Sequence, residues 1–275
     1  MKKENVLDKF DMHGRTVLIT GGAGLLGKQF SLSLAQAGAN VMVSDLDGHA
    51  AREQADFLKS EGFNADSVQL DVTDSESVRS ATKAANSRFG SLDVLVNCAA
   101  INPKFDRENI EYQNNNAFEN YPLEAFRQTL DVNLTGMFLC TQVAVPYMLE
   151  KGKGVIVNIC SIYGLVGPDQ SLYHQEDGTI RYKPVDYSVA KAGVLGFTRY
   201  LAAYYAGKNI RVNALTPGGV FNDHDSQFSE AYGSRTLLGR MAHLDEMNAA
   251  MLFLCSDASS YMTGSNLIVD GGWTA

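Results

Sequence analysis

A single α/β domain with a doubly wound, seven-stranded parallel sheet is the fold this sequence predicts. Three observations carry that expectation. Short β-branched runs alternate with longer helical stretches along the whole chain. The runs are near-continuously apolar over four to six residues, as in strands buried on both faces. A glycine-rich turn joins the first run to the first helix. Such alternation implies parallel pairing through right-handed crossovers, with helices on both faces of the sheet.

In order, the strands are expected at Arg15–Thr20 (RTVLIT), Asn40–Asp45 (NVMVSD), Asp66–Asp71 (DSVQLD) and Ser91–Asn97 (SLDVLVN). Three more follow at Gly154–Cys160 (GVIVNIC), Ile210–Leu215 (IRVNAL) and Asn266–Asp270 (NLIVD). The first helix reads near Gly24–Ala37 and the second runs to about Glu61. No repeat, low-complexity tract or linker interrupts the pattern, so residues 1–275 read as one domain. Two polar stretches break the rhythm, Ile101–Tyr121 and Gly167–Pro184. Both follow strand C-termini, where an open α/β sheet binds ligands, and loops this long in a compact domain are usually functional or disordered.

The 275 residues are 45% hydrophobic and 20% charged, ample for one core. The net charge is −8, and no basic run is present to neutralise phosphates, which argues against a nucleic-acid partner. The N-terminus lacks the apolar run of a secretory signal, and no stretch reads as a membrane span. Cys98, Cys140, Cys160 and Cys255 are widely spaced among apolar residues. They read as buried free thiols of a cytoplasmic protein, with no metal site.

The turn Thr20-Gly21-Gly22-Ala23-Gly24-Leu25-Leu26-Gly27 follows a strand and opens a helix. A dinucleotide pyrophosphate needs a tight turn, close backbone approach and free N–H groups at a helix start. Gly21, Gly24 and Gly27, with Leu25 and Leu26 between them, are the residues to supply these in a Rossmann-type fold. Asp45 ends the second strand, 18 residues after Gly27. A carboxylate there accepts hydrogen bonds from adenosine ribose hydroxyls and repels a 2′-phosphate. No Arg or Lys follows within six residues, so the cofactor expected is NAD rather than NADP.

Further along stand Asn133 in DVNLTG, Ser161 in NICSIYG, and Tyr187-Ser188-Val189-Ala190-Lys191. In this order and context they make the chain resemble the short-chain dehydrogenase/reductase family, compact type, over nearly its whole length. The resemblance implies catalytic roles for Asn133, Ser161, Tyr187 and Lys191. Ser161 holds the substrate oxygen, Tyr187 exchanges its proton, and Asn133 anchors a water that Lys191 links to Tyr187. Lys191 is also implied to bond the nicotinamide ribose. The chemistry agrees: residues four apart share a helix face, and a phenol of pKa about 10 becomes a usable base beside an ammonium. Asn97 and Ala99 in Asn97-Cys98-Ala99-Ala100, the pair Asp71-Val72, and Pro217, Gly218 and Val220 resemble further cofactor contacts. A homo-oligomer, tetramer or dimer, is implied as well, built on the helix ending near Met148, the Tyr187 helix and the last strand.

The chain departs from the compact pattern in three places. Leu25 replaces the middle glycine, giving the spacing of extended, sugar-nucleotide-modifying members. Ser161 and Tyr187 are 26 residues apart, beyond the usual gap. Asn222 stands where a threonine is common.

The function expected is hydride transfer between NAD(H) and a carbonyl or secondary alcohol of a small polar substrate, such as a sugar or sugar derivative. Asn102, Lys104, Arg107, Asn114, His174, Arg181 and Lys183 in the two insertions suit such a compound. The alternatives are a dehydratase or epimerase that transiently reduces bound NAD, and a catalytically silent dinucleotide sensor.

Overall fold

The computed structural model describes residues 5–102, 116–174 and 180–275. Its strands are β1 (Thr16–Thr20), β2 (Asn40–Asp45), β3 (Ala65–Gln69), β4 (Val94–Asn97), β5 (Gly154–Ile159), β6 (Ile210–Pro217) and β7 (Asn266–Val269). All seven pair in parallel in the order β3-β2-β1-β4-β5-β6-β7. The helices are α1 (Leu25–Gln36), α2 (Gly48–Ser60), α3 (Ser75–Phe89), α4 (Leu123–Leu130), α5 (Gly136–Lys151), α6 (Val185–Tyr204), α7 (Ser226–Gly233) and α8 (Asn248–Cys255). The expected single Rossmann-type sheet is therefore present.

Alternate side chains on each strand feed two cores. Val17, Ile19, Val43 and Val157 pack under Phe30 and Leu34 of α1 and Met251 and Leu254 of α8. Leu18, Met42, Leu95 and Ile156 pack under Val78 of α3 and Cys140, Val145 and Met148 of α5. Strand order reverses between β1 and β4, and that switch point opens a crevice at the strand C-termini.

One expectation needs correction. The fourth strand starts at Val94 rather than Ser91 because Ser91 and Asp93 are drawn into a polar cluster. The Asp93 carboxylate accepts from the Thr16 N–H at 2.9 Å, the Ser91 hydroxyl at 2.7 Å and the Lys151 ammonium. Leu123–Lys151 forms one unbroken 29-residue helical stretch through a π turn at Asp131–Thr135, and by length and composition alone it passes as a span. Its apolarity has another cause, since Met137, Cys140, Ala144, Val145 and Met148 are buried within the protein.

Burial alone would raise the Asp93 carboxyl, but the bonds from Lys151, Thr16 and Ser91 outweigh it and hold it below the usual carboxylate range. Stability from this group is thus present above the unfolded carboxyl pKa and is lost as pH falls through the folded one. Asp93→Ala is expected to cost about 2 kcal/mol at neutral pH and to flatten the acid limb of the stability curve. Urea melts at neutral and acidic pH check both. Burial also pushes the Cys98, Cys140 and Cys255 thiols up to about 12, which leaves them inert at neutral pH.

Candidate active site

The C-terminal ends of β1, β4 and β5 open onto a cleft of about 1620 Å³. Its first half is made by the turn after β1. Thr20 Oγ1 accepts from the Cys98 and Ala99 N–H groups, each at 3.1 Å, and draws the end of β4 against Gly21. Gly21 has φ +63°, and a Cβ there would stand 2.7 Å from Ala99 Cα. On Gly27 a Cβ would stand 2.1 Å from the Gly21 carbonyl oxygen. Neither position admits a side chain without moving backbone.

Gly24 caps α1 with extended backbone and no side-chain hydrogen bond. Leu25, Leu26 and Gly27 form the first turn, whose N–H groups lack intrahelical acceptors. The path at Leu25 is therefore an ordinary helix start lining the cleft. At the end of β2, Asp45 accepts from the Ala23 N–H at 3.1 Å and the Asp47 N–H at 3.2 Å. Asp71 and Val72 line the cleft beyond β3. A backbone cradle at a helix N-terminus with a carboxylate beside it fits a nicotinamide dinucleotide: amides for the pyrophosphate, Asp45 for a ribose.

The second half lies between β5 and α6. Ser161, just after β5, is extended and accepts from the Tyr163 N–H at 3.3 Å, starting a tight turn. That turn packs hard on α6, because a Cβ on Gly164 would meet the Lys191 carbonyl at 2.6 Å. This contact brings the Ser161 hydroxyl to the Tyr187 side, where it opposes the rise of the phenol's pKa. One helical turn on, the buried Lys191 ammonium donates to the Ile159 carbonyl at 2.9 Å and lies 5.7 Å from the Tyr187 ring centre. Burial pushes the Tyr187 phenol up to about 12, the Ser161 hydroxyl opposing and Cys160, Tyr163 and Cys98 adding to the rise. Burial also pulls the Lys191 ammonium down.

Pro217, Gly218 and Val220 line the cleft past β6, as does Asn222 at the expected threonine position. Asn97 and Asn133 do not line it. Asn97 is buried in a network, donating to Thr141 at 3.1 Å and Asn158 at 2.9 Å. Asn133, within the π turn, uses both ends of its amide on the main chain of Ile101, at 2.7 and 2.9 Å. Of the polar insertion residues, Asn102, His174, Arg181 and Lys183 line the cleft, whereas Lys104, Arg107 and Asn114 fall outside the described residues.

Other contributors carry no motif of their own. Thr20 is one. Asp186 is another: fully buried, it accepts from the Tyr121 hydroxyl at 2.6 Å and fixes the first turn of α6. Third is an aromatic wall, in which Phe228 stands 5.9 Å from Tyr173 and 6.0 Å from Tyr232, ring centre to ring centre. The Arg235 side chain ties it to the second insertion through Asp169 at 2.7 Å and Ser171 at 2.9 Å. Only the terminal position of Thr20 on an apolar strand offered a signal in the sequence.

A dinucleotide cradle joined to a Ser–Tyr–Lys constellation defines the class, a nicotinamide-dependent oxidoreductase on a Rossmann-type sheet. The family model described as Enoyl-(Acyl carrier protein) reductase matches residues 23–274. Trans-4-hydroxycyclohexanecarboxylate dehydrogenase of Sinomonas cyclohexanicum is 39% identical, over 95% of this chain and 93% of its own. Cyclohexanol dehydrogenase of an Acinetobacter species is 33% identical, over 96% of each. The crystal structure of a gluconate 5-dehydrogenase from Burkholderia cenocepacia, in complex with NADP and tartrate, has a TM-score of 0.85. It shares 30% identity and covers 98% of this chain and 99% of its own. The chain belongs to the short-chain dehydrogenase/reductase family, and it is an oxidoreductase acting on CH–OH groups.

Proposed function

We propose that this enzyme moves a hydride between NAD(H) and a secondary alcohol or carbonyl on a small polar compound, with Tyr187 exchanging the proton. One observation carries the reading. Ser161, Tyr187 and the buried Lys191 line the same cleft as the glycine cradle, with the Lys191 ammonium 5.7 Å from the Tyr187 ring centre. When bound, the nicotinamide supplies or takes the hydride. Ser161 holds the substrate oxygen, Tyr187 gives or takes its proton, and the Lys191 charge favours the phenolate. Asn133 anchors a water of this relay, its amide also fixing the Ile101 main chain by one bond accepted and one donated. Relatives acting on cyclic alcohols and on gluconate support a hydroxylated substrate of this size. A panel of sugars, polyols and hydroxy acids, followed by NADH absorbance, tests it, and no turnover on any of them counts against it.

NAD is the cofactor favoured by Asp45, whose carboxylate faces the ribose end of the cradle. NADH is expected to bind about 10- to 100-fold more tightly than NADPH, because two like charges at contact distance repel strongly near a protein surface. Asp45→Asn should narrow that gap mainly by improving NADPH. Titration of nicotinamide fluorescence measures it, and tighter NADPH binding to the wild type would remove Asp45 from this role.

The same reading includes a cytoplasmic homo-oligomer. Phe138 and Leu149 on α5 and Val189, Tyr200 and Tyr204 on α6 are exposed apolar or aromatic residues, the kind of surface that copies of a chain cover. Light scattering distinguishes dimer from tetramer.

A further inference from the structure

We infer that the substrate carries a carboxylate, and that Lys183 is the residue that reads it. The inference rests on the dehydrogenase reading above and narrows its substrate class. Lys183 lies two residues before α6, at the end of the second polar insertion. Its ammonium stands 4.2 Å from the centre of the Tyr187 ring and donates to the Asn102 amide oxygen at the end of the other insertion. The backbone is clamped as well: the Lys183 N–H donates to Gln170 Oε1 at 2.7 Å, and the Gln170 amide returns a bond to the Lys183 carbonyl at 3.4 Å. A long, flexible side chain is thus held at both ends over the ring of the proton carrier.

Carboxylates from other segments also line the cleft, Asp45, Asp71, Glu124, Asp131, Asp223 and Asp225. In the 159–191 segment, which carries Ser161, Tyr187 and Lys191, the charged residues lining the cleft among those described are Arg181, Lys183 and Lys191. All are cationic. No carboxylate among the described residues forms an ion pair with Lys183; the nearest charge that favours its ammonium, Asp186, is held by Tyr121 and by the Tyr187 N–H. Burial pulls the Lys183 ammonium down to about 8, Asp186 opposing and Lys191 adding to the fall. A half-buried cation that donates to a neutral amide gains most from an anion, because charge-assisted bonds are about twice as strong as neutral ones.

The aromatic wall of Tyr173, Phe228 and Tyr232 lines the same cleft. A compound with an apolar body, a secondary hydroxyl and a carboxylate meets all three surfaces at once. The body faces the wall, the hydroxyl faces Ser161 and Tyr187, and the carboxylate faces Lys183. A sugar-like polyol leaves the cation unmatched.

Trans-4-hydroxycyclohexanecarboxylate and cyclohexanol differ by the carboxylate and form the test pair. Wild type is expected to oxidise the acid with the higher kcat/KM. Lys183→Met should lower the acid-to-cyclohexanol ratio of kcat/KM about 10-fold or more, through KM for the acid, and Lys183→Arg should restore part of it. A second measurement needs no turnover: cyclohexanecarboxylate should quench the fluorescence of enzyme-bound NADH in wild type and lose that affinity in Lys183→Met. If the substitution lowers both substrates equally, Lys183 acts on Tyr187 or on the loop and the inference is wrong. It is wrong too if wild type oxidises cyclohexanol without preferring the acid. Failure of every alcohol would instead overturn the dehydrogenase reading, while cyclohexanecarboxylate binding still decides whether Lys183 recognises a carboxylate.

Discussion

Replacing Tyr187 by Phe is expected to lower kcat by about 10²–10⁴-fold at saturating cofactor, the usual contribution of a positioned acid or base. The ring stays to pack, and Ser161, Lys191 and the glycine cradle are untouched, so NADH affinity should change little. The loss is specific to the proton. With its phenol pushed up to about 12 by burial, Tyr187 is protonated at neutral pH before any ligand enters. That state is ready to protonate a developing alkoxide during carbonyl reduction. Alcohol oxidation needs the phenolate, so its rate should rise with pH, whereas reduction should hold level until the phenol itself ionises. Tyr187→Phe removes that asymmetry along with the rate. A variant that kept most of its kcat in either direction would mean that another group carries the proton.

How much of this was legible in the sequence differs from one layer to the next. Whereas the edge strands β3 and β7 are only partly buried, the inner strands were legible because they are buried on both faces, and RTVLIT or GVIVNIC has little else to become. Limits of strands were less so, because they depend on where a side chain leaves the ladder for a partner elsewhere. Asp93, for example, reaches Thr16 and Lys151, far away in sequence. Gly21, Gly27 and Asp45 were legible from position, and the structure adds the steric reason in contacts with Ala99 and with the turn itself. Asn97 and Asn133 match family patterns, and the fold adds the protein groups that their amides bond, Asn158 for Asn97 and the Ile101 main chain for Asn133. The continuity of the helix from Leu123 to Lys151 runs through a π turn that no sequence rule marks. The aromatic wall and the Lys183 position depend on two long loops meeting, and spacing along the chain carries no information about that.

Lys191→Met is expected to affect both halves of the cleft. Methionine nearly matches the lysine stem in length, so α6 should still pack, but three things change together. The Ile159 carbonyl loses its donor, a buried acceptor left unpaired at a cost of about 1–3 kcal/mol. Tyr187 loses the cation 5.7 Å from its ring, so its phenolate becomes harder to form. The ribose contact implied by the family resemblance is lost as well, which should weaken NADH binding. At saturating NAD, alcohol oxidation should therefore fall by at least about 10²-fold, and the pH profile of the remaining activity should shift alkaline. That shift separates the roles. A purely structural lysine would lower the melting temperature and the amount of active enzyme, and the pH profile of the survivors would stay where it was. Lys191→Arg keeps the charge but not the slender reach to Ile159, and should recover part of the profile before it recovers the rate. If Lys191→Met matches wild type in pH profile and NADH affinity, then Tyr187 is tuned by other groups, and Lys183 over the same ring at 4.2 Å becomes the cation to examine.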